Sequence, residues 1–110
     1  MNSSDTFKIY TTQFPFLDTQ EAKVRPVIVI SLPQGKHNLV AVIPLSSKPK
    51  REAVDVALGY WKSEGLVKPS IARVHRITTI LQSDLLTELG QLAESDIKAL
   101  KESIRTYLSI

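Results

Sequence analysis

The stretch that decides the fold is KVRPVIVIS, residues 23–31, in which four consecutive apolar residues, Val27 to Ile30, follow Arg25 and Pro26. An uninterrupted run of β-branched residues predicts a strand that is buried on both faces. Pro26 favours an extended conformation for the residue that precedes it. The sequence therefore places a charged side chain, Arg25, at the mouth of a buried strand.

Further strands are predicted on both sides of this run, because short segments rich in β-formers alternate with turn signals. The predicted strands are Phe7 to Phe14, Leu39 to Ile43 (which Pro44 should end), Ala53 to Leu58, and Ser70 to Ile80. Residues 17–24 are predicted to form a polar loop and residues 46–52 a basic loop. Gly59 to Gly65 is predicted to form a turn or short helix.

The hydrophobic period changes in the last third of the chain. Ser83 can cap a helix that runs through Leu89 and ends at Gly90. A second helix is predicted from about Glu94, because Ile97, Leu100, Ile104 and Leu108 follow the helical period. Strands followed by helices predict a mainly β barrel with C-terminal helices, in one domain over residues 1–110.

Composition and charge narrow the class of protein. The chain has 110 residues, no cysteine and a net charge of +3, so disulfides, thiolate metal sites and cysteine nucleophiles are excluded. The first 80 residues hold 11 basic and 6 acidic side chains, which favours an anion such as RNA as partner, although +3 is ordinary for a soluble protein. We expect no membrane span and no signal peptide, and hence a cytoplasmic protein.

Three segments carry candidate chemistry. Arg25 offers a planar fork of donors suited to phosphate, or is simply an arginine at the end of a strand. Ser46 and Ser47, followed by Lys48, offer hydroxyls to a bound oxyanion, or form a hydroxyl-rich turn. The segment RVHR, residues 73–76, would place the first and third of its side chains on one strand face and the fourth on the other.

The two histidines differ in their expected roles. His75 lies among cations and could transfer protons at neutral pH, or could be structural or exposed. His37 lies in a predicted turn and is expected to be inert. The two are far apart in sequence and no acids cluster with them, so no metal site and no cofactor are predicted. Tyr60 and Trp61 could stack on bases, but packing is the favoured role.

The order of these motifs resembles the PemK/MazF-like toxin family. Six segments carry the resemblance: Phe14 to Asp18 (FPFLD), Lys23 to Ser31 (KVRPVIVIS), Val42 to Ser47 (VIPLSS), Gly65 to Ser70 (GLVKPS), Ile77 to Ile80 (ITTI) and Leu89 to Leu92 (LGQL). None is specific alone, but the six occur in the family's order over about residues 7–108. The usual Gly-Asp start of the first strand is missing.

The resemblance implies a fold and an activity. The expected fold is an SH3-like β-barrel of the CcdB/Kid/MazF toxin type, assembled as a homodimer. The expected activity is sequence-specific, metal-independent cleavage of single-stranded RNA, in which the ribose 2′-hydroxyl attacks the adjacent phosphate and leaves 2′,3′-cyclic phosphate and 5′-hydroxyl ends. An antitoxin with a flexible acidic tail would lie across the dimer. The alternatives are a gyrase-binding toxin of the same fold and an inactive barrel that binds RNA.

The resemblance also assigns residue roles. The family's essential arginine falls on Arg25 and its catalytic hydroxyl on Ser46, while His75 stands where several relatives carry an aspartate and is a candidate general acid or base. The loop from Asp18 to Val24 would gate the RNA channel. The expected RNA-binding side chains are those of Lys23, Ser47, Lys48, Arg73 and Arg76.

Overall fold

The computed structural model describes residues 6–13 and 24–110. Within these residues, seven strands and one long helix follow each other along the chain. They are β1 (Lys8–Gln13), β2 (Val24–Val29), β3 (Leu39–Ser46), β4 (Val56–Ala57), β5 (Ile71–Ala72), β6 (Thr78–Leu81), β7 (Leu85–Gln91) and α1 (Glu94–Leu108). Short 3-10 turns, Val74–Arg76 and Gln82–Asp84, precede β6 and β7.

The strands form one antiparallel sheet in the order β4-β5-β3-β2-β1-β7, and β6 pairs with β3. Strands β5 and β6 continue one another along one edge of β3, because β6 pairs with its first half and β5 with its last two residues. The mainly β architecture with a C-terminal helix is confirmed. The expectation of a closed barrel is wrong, because within the described residues the end strands β4 and β7 pair with no further strand.

The prediction that the apolar run of β2 is buried on both faces is confirmed. Ile28 belongs to one hydrophobic cluster, with Ile43 and Leu100 among its fully buried members. Val27 and Val29 belong to a second cluster on the opposite face, together with three buried residues of β3 and β6. Alternate side chains of one strand therefore reach two separate cores, which fixes the position of Arg25 just before the run.

Strand β3 continues through Pro44, so the prediction that this proline ends the strand is wrong. Pro44 lies opposite Val27 of β2, between the part of β3 that pairs with β6 and the part that pairs with β5. The missing N–H of proline costs little at this change of partner, and its carbonyl accepts a hydrogen bond from the Arg73 N–H at 3.0 Å. The extension carries Ser46 to the end of the sheet.

The predicted helix from Ser83 to Leu89 is also wrong. That segment forms the 3-10 turn and β7, which pairs with β1 from Leu85 to Gln91. Long-range pairing outweighs the local helix signal here. Gly90 is not a helix cap; a Cβ atom at this position would lie 2.3 Å from the Glu64 carbonyl oxygen, so close backbone packing requires the glycine.

Two predicted strands are shorter or interrupted. The segment 53–58 holds only the two residues of β4, because a turn places the Asp55 N–H 3.0 Å from the Glu52 carbonyl. The segment 70–80 holds β5 and β6, separated by the 3-10 turn Val74–Arg76. Phe14 and the loop expected to gate the channel, apart from its last residue Val24, lie outside the described residues.

Helix α1 is anchored through two buried carboxyl groups. The Asp96 carboxylate accepts hydrogen bonds from the backbone N–H groups of Gly59 and Tyr60, and the Glu64 carboxyl accepts one from Ala93 at 2.7 Å. Leu100 is fully buried in the first cluster. The prediction of a helix from about Glu94 is confirmed. No helix in the described part of the chain has the length and apolar character needed to cross a bilayer.

Candidate active site

Two adjoining cavities lie where β2, β3 and the 3-10 turn before β6 meet. The first cavity, of about 120 Å³, is lined by Arg25, Pro44, Leu45, Ser46, Lys48, Arg51, Glu52, Asp55, Arg73, His75 and Arg76. The second cavity, of about 420 Å³, is lined by Val24, Arg25, Pro26, Leu45, Ser46, Ser47, Lys48, Leu66, Val67, Lys68 and Ser70. Arg25 and Ser46 line both cavities, so the two side chains singled out from the sequence share one space.

Arg25 reaches this space because of its place in β2. It pairs with Thr12 of β1 and is followed by Pro26 and the buried run. The side chain is half-buried, and among the described residues its Nε atom is buried without a hydrogen-bond partner. A guanidinium N–H group without a partner can donate a hydrogen bond to an anion that enters the cavity.

Ser46 lies at the last position of β3, and its Oγ atom accepts two hydrogen bonds. The Lys48 N–H donates at 3.1 Å and Nη2 of Arg73 donates at 3.3 Å. A hydroxyl oxygen has two lone pairs and one proton, so both acceptor positions are in use. The proton of Ser46 is therefore left to donate to a group in the cavity.

Arg73 is held inside the protein, with 6% of its surface exposed. Its Nη1 atom donates to Oδ2 of Asp55 at 2.5 Å, and Nη2 donates at 2.9 Å to each of the carbonyl groups of Lys48 and Pro49. Together with the bond to Ser46, these contacts fix the loop that follows β3. Arg73 thus braces the site from within, and the expectation that it also contacts RNA stays a prediction.

Asp55 is buried, with 2% of its surface exposed. Burial raises the pKa of its carboxyl group, but the N–H groups of Glu52 and Arg51 and the guanidinium of Arg73 lower it more, so the net pKa lies below the ordinary value. The carboxylate is therefore charged at neutral pH. Its Oδ2 atom accepts all three donors, and its Oδ1 atom lies 3.7 Å from Nδ1 of His75.

The 3-10 turn Val74–Arg76 overturns the predicted strand geometry of the RVHR segment. Side chains of a tight turn do not alternate across a sheet, so Arg73 and His75 are not related as neighbours on one strand face. The turn nevertheless directs Arg73, His75 and Arg76 to the first cavity. The Tyr107 hydroxyl of α1 donates to the His75 carbonyl at 3.2 Å, which ties the turn to the helix.

The remaining candidates are distributed around the site. Lys48 lines both cavities, and Ser47 lines the second. Lys23 lies outside the described residues. His37 is exposed in a turn and lines neither cavity. Trp61 packs against the first hydrophobic cluster, as expected, whereas Tyr60 is 55% exposed.

Four charged residues of the cavities were not among the candidates from the sequence. Arg51, Glu52 and Asp55 line the first cavity, and Lys68 lines the second. Only Asp55 carried a local signal: it is an acid between Val54 and Val56, and an acid within an apolar segment needs buried partners. Arg51 and Lys68 are exposed loop cations whose position depends on the fold alone.

The first cavity favours an anionic ligand. Five cationic side chains (Arg25, Lys48, Arg51, Arg73 and Arg76) line it against the two carboxylates of Glu52 and Asp55. Such an excess within a concave surface raises the local concentration of anions. In the described ranges, 6–13 and 24–110, no group of three or more histidine, cysteine, aspartate or glutamate side chains is placed to hold a metal ion.

Comparison with known structures agrees with this fold. Mycobacterium tuberculosis toxin MazF-mt6 superposes with a TM-score of 0.75 at 25% identity, over 94% of this chain and 97% of that chain. An endoribonuclease in complex with its cognate antitoxin from a mycobacterial species gives 0.74 at 16% identity, over 96% and 94% of the two chains. The MazE–MazF complex from Deinococcus radiodurans gives 0.71 at 14% identity, over the same shares. No curated protein matches the sequence at a significant level.

The sequence also matches a family model, and the match covers nearly the whole chain. Residues 5–108 fit the model of the PemK-like, MazF-like toxin of type II toxin–antitoxin systems. This range includes all seven strands, helix α1 and both cavities. The chain is therefore a member of the PemK-like, MazF-like toxin family of type II toxin–antitoxin systems.

Proposed function

We propose that this protein is a toxin that cleaves single-stranded RNA without a metal ion. In the proposed reaction the ribose 2′-oxygen attacks the adjacent phosphorus and the bond from phosphorus to the 5′-oxygen breaks. The products are a 2′,3′-cyclic phosphate and a free 5′-hydroxyl. The observation that carries the proposal is the shared cavity of Arg25 and Ser46, two groups suited to the charge that grows on the phosphate.

The roles of the two groups follow from their contacts. Arg25 would neutralise the phosphate through its Nε–H, which has no hydrogen-bond partner among the described residues, and through the rest of its guanidinium. Ser46 would donate its proton to a phosphate oxygen, because its two lone pairs are already engaged by Lys48 and Arg73. A donor fixed in this way pays no reorganisation cost when charge develops. His75 would act as the general base or acid.

The strand of RNA would continue along the second cavity. Lys48 and Lys68 would meet the backbone phosphates there, and the apolar wall of Leu66 and Val67 would meet a base. Ser47, which also lines the second cavity, would donate a hydrogen bond to the RNA. Arg76 would contact the RNA at the opposite end, in the first cavity.

The proposed assembly follows the family. Two of the similar structures are complexes of a toxin with its antitoxin, and we propose a homodimer that an antitoxin with an acidic segment silences. The cationic surface of the first cavity would attract such a segment. The toxin would be located in the cytoplasm, because its proposed substrate is the messenger RNA of the cell.

The decisive experiment is cleavage of a single-stranded RNA by the purified protein in the presence of EDTA. The proposal predicts fragments with 2′,3′-cyclic phosphate and 5′-hydroxyl ends, and their formation should stop when the cognate antitoxin is added. Binding of RNA without any cleavage would instead indicate the inactive barrel. Inhibition of gyrase by a protein that leaves RNA intact would indicate the gyrase-binding alternative.

A further inference from the structure

Two buried atoms in the first cavity face each other without hydrogen-bond partners among the described residues. They are Oδ1 of Asp55 and Nδ1 of His75, and 3.7 Å separates them. The distance exceeds a hydrogen bond by well under 1 Å, and one third of the histidine side chain is exposed. A small rotation of the imidazole would bring the two atoms within hydrogen-bond distance of each other. No other contact among the described residues gives either atom a hydrogen-bond partner.

Asp55 itself is held too firmly to turn away. Its Oδ2 atom accepts hydrogen bonds from the N–H groups of Arg51 and Glu52 and from Arg73, at 2.9, 3.0 and 2.5 Å. These three contacts hold the carboxylate in place, with its Oδ1 atom 3.7 Å from Nδ1 of the histidine. The same carboxylate holds the arginine that contacts Ser46, so one buried group reaches both sides of the cavity.

We infer that Asp55 is a positioning residue that keeps the neutral imidazole of His75 in the tautomer with its proton on Nδ1. The hydrogen bonds that the surroundings offer to the two ring nitrogens decide which of them carries the proton. An ionised carboxylate can only accept, so Nδ1 donates to Oδ1. The lone pair of Nε2, at the opposite edge of the ring, is then available to the cavity.

This assignment gives His75 a defined chemical role and rests, in that respect, on the proposed function. Nε2 would take the proton of the 2′-hydroxyl as the new bond to phosphorus forms. The 5′-oxygen would leave and take a proton from water. The opposite tautomer would present an N–H to the 2′-hydroxyl and could not accept its proton.

The surroundings of His75 leave Asp55 as the group suited to this task. The charged side chains that line the cavity together with His75 are those of Arg25, Lys48, Arg51, Glu52, Asp55, Arg73 and Arg76, and Tyr107 of α1 contacts the turn. Arginine and lysine side chains only donate, and the Tyr107 hydroxyl is bonded to the His75 carbonyl rather than to the ring. Glu52 is exposed, whereas Oδ1 of Asp55 is buried against Nδ1.

Substitution of Asp55 by asparagine makes a sharp test, because the amide has one oxygen and one nitrogen. The three donors at the position of Oδ2 require the oxygen there, so the amide nitrogen must take the position of Oδ1. It would then donate to Nδ1 of His75 and force the ring proton to Nε2. The variant Asp55→Asn should therefore invert the tautomer while it preserves the size of the side chain.

The measurement is a long-range ¹H–¹⁵N correlation spectrum of the imidazoles in the ¹⁵N-labelled protein, without RNA, at a pH where the spectrum shows neutral rings. The chain has two histidines, and the exposed His37 is an internal control. We expect His75 to be mainly Nδ1-protonated in the wild type and mainly Nε2-protonated in Asp55→Asn, with His37 unchanged. The exposed Asp84→Asn is the control for loss of a carboxylate and should leave both histidines unchanged.

A wild-type spectrum with the His75 proton on Nε2 would overturn the inference, and this result needs no variant to fold. An unchanged tautomer in a folded Asp55→Asn would overturn it as well. In cleavage assays, Asp55→Asn should lower kcat at least tenfold in the wild-type background and by a clearly smaller factor in a His75→Ala background, where only its effect through Arg73 and Ser46 remains. Equal losses in both backgrounds would contradict the role, whereas absence of cleavage by the wild type would refute the proposed function and leave the NMR result to decide the tautomer.

Discussion

The Oγ atom of Ser46 lies 3.3 Å from Nη2 of Arg73, and the Nη1 atom of the same guanidinium lies 2.5 Å from the buried carboxylate of Asp55. The hydroxyl at the end of β3 is therefore placed by an ion pair in the interior. A site held by such a second layer of contacts keeps its geometry when a ligand enters.

The two neighbouring serines should differ strongly in their effect on cleavage. Ser46→Ala removes the donor whose lone pairs are both engaged, so kcat should fall on the order of 100-fold. Ser47→Ala changes a residue that lines only the second cavity and should alter kcat less than about threefold. Single-turnover cleavage of one RNA oligonucleotide compares the pair. Equal losses of kcat in the two variants would show that the Ser46 hydroxyl does not contribute more to cleavage than its neighbour.

Removal of Arg73 should destabilise the fold as well as the site. Arg73→Ala leaves the charge of Asp55 buried without its partner, which typically costs about 3–5 kcal/mol. Lys48→Ala, which changes an exposed cation of the same cavity, should cost within about 0.5 kcal/mol. Urea unfolding monitored by circular dichroism gives both free energies. A loss below 1 kcal/mol for Arg73→Ala would show that the ion pair does not brace the loop.

The stability of the protein should fall as the pH rises from about 4.5 to about 7. Burial raises the pKa of Glu64 to about 7; the Ala93 N–H opposes this shift and the Asp96 carboxylate adds to it. The folded state therefore holds a proton between about pH 4.5 and pH 7 that the unfolded state has released. Stability that is fully present below pH 4.5 is lost by about pH 7, by about 1–3 kcal/mol.

Glu64→Gln is the matched variant, since its amide mimics the protonated carboxyl group. Its carbonyl can accept from Ala93, and its NH₂ group can donate to Asp96, which interacts with the Glu64 carboxyl group. Urea unfolding at pH 5, 7 and 8.5 should show a decline for the wild type and a smaller decline for the variant. The expectation fails if both proteins show the same pH dependence.

A methyl group at Gly90 should not be tolerated. The Cβ of Gly90→Ala would lie 2.3 Å from the Glu64 carbonyl oxygen, so a backbone shift is required and at least about 2 kcal/mol should be lost. In Gly59→Ala the nearest atom, Oδ1 of Asp96, lies at 3.6 Å, and the change should stay within about 1 kcal/mol. Thermal and urea unfolding of the two variants provide the comparison. Similar stabilities would show that β7 does not pack this closely.

Local sequence predicted those parts of the fold that depend on local pattern. The run Val27 to Ile30 is continuous in its apolar character and therefore predicted its own burial, and the helical spacing of Ile97, Leu100 and Ile104 predicted α1. The helix predicted from Ser83 was wrong because a serine and a later glycine, which can cap a helix, also occur near the start and end of a paired strand. Strand β7 pairs with β1, which lies near the other end of the chain, and local propensity cannot predict a pairing between such distant segments.

The candidate site was predictable only in part for a similar reason. Arg25 and Ser46 could be singled out because each adjoins a buried strand, and the structure brings both to one cavity. Arg73 was recognised as a cation, but its burial depends on Asp55, which lies 18 residues earlier in the chain. The relation of Asp55 to His75 depends on a 3-10 turn within a segment whose composition predicts a strand.

The most direct test of the proposed reaction is single-turnover cleavage of a single-stranded RNA in EDTA by the wild type and by Arg25→Ala. Loss of this guanidinium from the cavity should lower the rate about 100- to 1000-fold, with an unchanged melting temperature. Lys36→Ala, in an exposed turn, should cleave at the wild-type rate. Cleavage by Arg25→Ala at the wild-type rate, with the same cyclic phosphate ends, would show that Arg25 does not stabilise the reacting phosphate.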